Sequence, residues 1–138
     1  LLHKLGAAIF AALLVFSLAA CSLGNPQKAG DTFVADASAA IDAVPNVVSN
    51  KTRFTDPGGM GAVINVRITA VEHTDLDAVL RDSLHAFADA SGSLKGVSRV
   101  EFYVFPEGEA DNGIRPDVLG LSQSPTVQEI RDYTSSNG

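Results

Sequence analysis

The sequence predicts an α+β fold, a small two-layer sandwich with helices packed on one face of a mixed three-stranded sheet. Three observations carry this reading. Ile64, Val66, Ile68 and Ala70 alternate with Asn65, Arg67 and Thr69, the period of a strand with one buried face. Leu76, Val79, Leu80, Leu84 and Phe87 then recur at helical spacing, with Arg81, Asp82, His85 and Asp89 largely opposite. Val100, Phe102 and Val104 restore the two-residue period, so the helix joins two strands of one sheet as a crossover.

The first element is a short helix. Val34, Ala37, Ile41 and Val44 recur at spacings of three and four, and Pro45 ends it. Residues 47–54 offer a strand, with Val48 and Phe54 on one face and Lys51 and Arg53 on the other. Dense turn chemistry follows at Thr55-Asp56-Pro57-Gly58-Gly59-Met60-Gly61, so this strand and the next form a hairpin.

Thr74 followed by Asp77 resembles a capping box for the central helix, and Asp75 and Asp77 suit its positive start. Ser91-Gly92-Ser93 stops that helix. Residues 98–105 form the third strand, which turns Arg99, Glu101, Tyr103 and Phe105 away from its apolar side. After Pro106 the chain is loop-like until a final short helix capped by Ser124, with Pro125 and Glu129 in its first turn. The order is therefore α-β-β-α-β-(α).

Ahead of this domain, His3 and Lys4 precede an apolar run of 16 residues, Leu5 to Ala20. A spanning helix needs about 20 apolar residues, so the run suits the h-region of a secretory signal better. It closes on Leu18-Ala19-Ala20-Cys21, and Cys21 is the one cysteine of the chain. These four residues resemble the lipobox of bacterial lipoproteins. That resemblance implies cleavage between Ala20 and Cys21 and acylation of Cys21, as by palmitate. The mature protein would then be anchored to a bacterial membrane outside the cytoplasm, on the cell membrane's outer face or at the outer membrane. Each buried acyl methylene contributes about 0.8 kcal/mol to such an anchor.

Three segments follow from this: a signal peptide at 1–20, a lipidated cysteine with a flexible tether at 21–32, and one globular domain at 33–138. The tether reading rests on the Gly, Pro and polar residues of 22–32. An exported domain with no second cysteine holds no internal disulfide, so its apolar core must stabilise it unaided. Loss of Lys4 with the signal leaves nine Lys and Arg against sixteen Asp and Glu, a net charge of −7. Such a chain is repelled by phosphates, which argues against nucleic acid as a partner. It also predicts weak attraction to anionic lipid, so that membrane attachment falls to the acyl group.

Few residues suggest chemistry. His73, Asp75 and Asp77 are ingredients of a metal site or an acid–base pair, yet helix capping accounts for both aspartates. Glu107, Glu109 and Asp111 invite comparison with a calcium loop, but Asn112 and Val118 stand where an EF-hand needs glycine and glutamate. The glycines at 58–61 open onto a strand, whereas a phosphate cradle opens onto a helix. No nucleophile elbow of the G-x-S-x-G kind occurs. No cofactor or metal site is expected. Tyr103 and Phe105, with Arg99, are the candidate contact surface.

The element order, with Gly96-Val97-Ser98-Arg99-Val100 before the last strand and Val44-Pro45-Asn46-Val47 earlier, resembles the BON domain. That is a small αββαβ module of bacterial envelopes associated with phospholipid surfaces. The membrane address, the domain pattern and the lack of site chemistry give as the expected role a lipid-anchored, non-enzymatic envelope protein that binds or scaffolds an envelope protein partner. Two alternatives stand beside it: a phospholipid-surface module of the BON kind, and a hydrolytic or metal-dependent accessory factor using His73 and nearby carboxylates.

Overall fold

The computed structural model describes residues 26–58 and 61–137. The signal segment, Cys21 with the four residues after it, and Gly59 and Met60 of the turn lie outside the described residues. Helix α1 (Pro26–Asp42) leads into strands β1 (Val47–Thr55) and β2 (Val63–Ala70). Helix α2 (Leu76–Ala90), strand β3 (Arg99–Pro106), a 3-10 turn (Pro116–Leu119) and helix α3 (Val127–Ser136) follow. The fold is α+β in the expected order, and the sheet runs β1-β2-β3. β1 and β2 form the antiparallel hairpin, while β2 and β3 are parallel across the α2 crossover.

β2 is the central strand, and its side chains divide the molecule. Ile64, Val66, Ile68 and Ala70 are buried, whereas Asn65 and Arg67 are exposed. Val100, Phe102 and Val104 of β3 extend the buried side. Against it pack Phe33, Ala37 and Ile41 of α1, Val79, Leu80, Leu84 and Phe87 of α2, and Val127 and Ile130 of α3. Burying each large aliphatic side chain contributes about 1.5–3 kcal/mol. Edge-to-face contacts tie the layers together: Phe33 meets Phe87 at 5.6 Å, and Phe87 meets Phe102 at 6.0 Å.

The first helix corrects the expected tether. It starts at Pro26 rather than near Phe33, so residues 26–32 belong to the domain. Proline suits the first turn of a helix, where its missing N–H costs nothing. Gly30, read as a linker residue, is buried against the Phe54 ring, and a Cβ there would sit inside van der Waals contact of that ring. The seed of the buried stripe is accordingly Phe33, with Val34 only half-buried.

Smaller corrections have equally local causes. A bulge between Val47 and Ser49 breaks the register of β1 and turns Val48 outward at 47% exposure, so Val48 does not share the face of Phe54. Asp75, not Thr74, caps α2, accepting hydrogen bonds from the Asp77 and Ala78 amides at 3.1 and 3.3 Å. Thr126, not Ser124, caps α3 and accepts from the Glu129 amide at 3.1 Å. Ser124 instead donates to Glu101 at 2.8 Å.

Arg131 fixes α3 to the end of α2 by donating to the carbonyls of Ser91 and Leu94. The outer edge of β3 is partly closed by exchanged backbone bonds with Ile114 and by Val100 donating to Pro125. In an ordinary helix interior Gly→Ala stabilises by about 1 kcal/mol. At Gly30 overpacking against Phe54 reverses the sign, and Gly30→Ala is expected to destabilise the domain by about 1–3 kcal/mol, as read by urea denaturation.

Candidate contact face on the open side of the sheet

All three helices cover the same side of the sheet, and β-strand alternation sends the other side chains outward. The register arranges these in rows across the three strands. Ser49, Thr69 and Phe105 form one row, then Lys51, Arg67 and Tyr103, then Arg53, Asn65 and Glu101, then Thr55, Val63 and Arg99. Lys51, Arg53, Asn65 and Arg67 are exposed, while Tyr103 and Phe105 are half-buried.

The aromatic pair anchors this face. Tyr103 and Phe105 stack at 5.7 Å between centroids, with 29° between their planes. The Arg67 guanidinium lies over both rings, 5.3 Å from Tyr103 and 4.9 Å from Phe105, and that of Arg115 lies 5.0 Å from Tyr103. The Tyr103 hydroxyl donates to the Ala110 carbonyl at 2.7 Å and accepts from the Gly113 amide at 2.9 Å. Gly113 approaches the ring so closely that a Cβ would collide with it. The loop after β3 thus clamps the ring at its edge, and its arginine returns to the sheet face.

Charge is segregated with the same parity. Five of the chain's ten Lys and Arg residues lie here: Lys51, Arg53, Arg67, Arg99 and Arg115. Glu101 is the one carboxylate of the three strands, and Arg115 pairs with it at 3.8 Å. Among the described residues, no carboxylate reaches Lys51, Arg53 or Arg67 at ion-pair distance. Lys51 and Arg67 stand directly opposite each other across the hairpin, an arrangement that destabilises a strand pair. Lys51, Arg53, Asn65 and Arg67 line a shallow open depression, and a second depression beside Tyr103 and Arg115 shares Asn65 and Arg67 with it.

Of the expected contact residues, the structure brings Tyr103 and Phe105 together but sets Arg99 apart. Arg99 lies on the same face four residues down the strand, about 13 Å away, and Arg67 of the neighbouring strand takes the place beside the rings. Arg67, Lys51 and Arg53 were missed as site residues, although their outward parity is visible in the sequence; the return of Arg115 through the loop leaves no such signal.

The metal and acid–base candidates are not assembled. His73 is exposed with φ at 62°, in the turn before α2, and Asp75 is engaged in capping. Among the described residues no three His, Cys, Asp or Glu side chains gather as a metal site. Glu107, Glu109 and Asp111 lie in an exposed run of turns. Likewise, no described helix is long and apolar enough to cross a membrane.

Comparison with protein-family models, curated proteins and solved structures finds no match to this chain. No enzyme family is therefore indicated by descent, and any functional reading starts from the sheet face itself.

The repulsion between the opposed cations is measurable. Lys51→Glu replaces a like-charged cross-strand pair with an opposite one and leaves the Arg67 stack in place. It is expected to raise unfolding stability by about 0.2–1 kcal/mol in urea at low salt.

Proposed function

We propose that this chain is a lipid-anchored envelope protein with a non-enzymatic binding role, and that the open sheet face is where it binds. The observation that carries the proposal is the segregation of five cations and an aromatic pair, with Tyr103 clamped by its hydroxyl, onto the helix-free face of an acidic protein. Arginine and tyrosine are enriched at the energetic centres of protein interfaces. A ring fixed by two hydrogen bonds loses little freedom on binding, which favours a defined partner.

The lipobox supplies the address. Acylated Cys21 would stand five residues before the start of α1, a span of at most about 18 Å when fully extended. A tether over residues 21–32 would allow more than twice that reach. A short leash supports a partner that is itself at or near the membrane.

A second reading, a phospholipid-surface module of the BON kind, draws on the same cations and the same short span. The expectation of weak attraction to anionic lipid rested on net charge, which this face does not share. Against that reading, the Tyr103 and Phe105 rings are capped by guanidinium groups and are not presented for insertion among acyl chains.

Site-specific photo-crosslinking in intact envelopes tests the proposal. A photoreactive residue at Asn65 should give an adduct of discrete mass, while one at Ala35, exposed on α1, should not. Cys21→Ser should abolish fatty-acid labelling and the adduct together. Equal adducts from both positions, or label that survives Cys21→Ser, would contradict the proposal, and adducts to lipid alone would favour the second reading.

A further inference from the structure

We infer that the depression formed by Lys51, Arg53, Asn65 and Arg67 receives an acidic polypeptide segment, with Asp or Glu carboxylates seated on the cations. The inference rests on the binding role proposed above and names the chemistry of its partner.

Charge complementarity is the first argument. The face carries five cations and one carboxylate, which leaves four cations against fifteen carboxylates on the rest of the chain after Cys21. The field over this face therefore differs in sign from the field elsewhere, and an anionic segment is steered toward it. Lys51 and Arg67 face each other with no carboxylate among the described residues to offset them. A bound anion between them relieves that repulsion, so the empty face stores part of the driving force for binding.

Preorganisation is the second argument, and it favours a polypeptide over a lipid layer. Contact with two rings holds the Arg67 guanidinium in place, and a guanidinium so held can make paired N–H bonds to a carboxylate. The Asn65 amide adds a neutral hydrogen-bonding group in the same depression. Fixed donors at register positions reward a ligand whose own acceptors are fixed by covalent spacing. A fluid headgroup layer gains little from them. Arginine supplies four of the five cations on this face, which also suits geometric recognition more than diffuse attraction.

The test uses the full acylated chain in neutral detergent micelles and a fluorescent glutamate decapeptide, followed by anisotropy. Binding should weaken as salt rises. Lys51→Glu with Arg53→Glu should lower affinity about tenfold or more, while Lys28→Glu with Arg81→Glu, the same change in net charge at exposed helical positions, should leave it within about twofold. Lys51→Glu alone, which removes the opposed like charges, should fold normally and still bind several-fold more weakly. Equal loss in both double variants would overturn the inference, as would no decapeptide binding at low salt. Face-dependent binding to phosphatidylglycerol vesicles without decapeptide binding would assign the site to lipid instead. If the Asn65 crosslink maps to a partner segment without clustered Asp or Glu, the acidic ligand is wrong and the binding role stands.

Discussion

The alternation of β2 is the constraint on which the rest of this molecule depends. It is the central strand, hydrogen-bonded on both sides, so its register is held by both neighbours. A slip of one residue would carry Ile64, Val66 and Ile68 to the open side and bury Asn65 and Arg67. The penalty for burying an unpaired guanidinium is far larger than any local preference. Once β2 is set, the buried halves of β1 and β3 follow, and the three helices have a single apolar surface to cover.

Function enters through the side that is left over. A two-layer fold with all helices on one face exposes the opposite face by construction, and here that face gathers half of the chain's cations. The average charge of the protein is a poor guide to this surface. The loop after β3 makes the surface more than a row of solvated side chains, because it fixes Tyr103 by its hydroxyl and lays Arg115 on the ring. Aromatic rings here serve as seats for guanidinium groups, and the groups offered to solvent are hydrogen-bond donors.

Much of the fold was legible because its longest elements carry strong periodicity. β2, α2 and β3 announce themselves by alternation or by helical spacing, and β1 pairs with β2 as the hairpin reading expects. Misreadings occurred where a residue's role depends on a distant partner. Gly30 and Pro26 look like linker residues until Phe54 and the helix start explain them. Val48 looks inward-facing until the bulge shifts it. The candidate site divides in the same way. Tyr103 and Phe105 could be named from strand parity alone, but pairing them with Arg67 needs the β2–β3 register, and pairing Tyr103 with Arg115 needs a loop of irregular shape. Asp75 beside α2 was legible as a capping residue for the opposite reason: its partners lie within three positions.

Single-cysteine scanning along β2 tests the two-faced sheet most directly, using the acylated full chain, whose Cys21 would then offer no thiol. Maleimide should react readily with cysteine at 65 and 67 and hardly at all at 64, 66 and 68 while the protein stays folded. Uniform reactivity along the strand, or reactivity at the even positions instead, would mean that the cationic side is not the open side and would contradict the account.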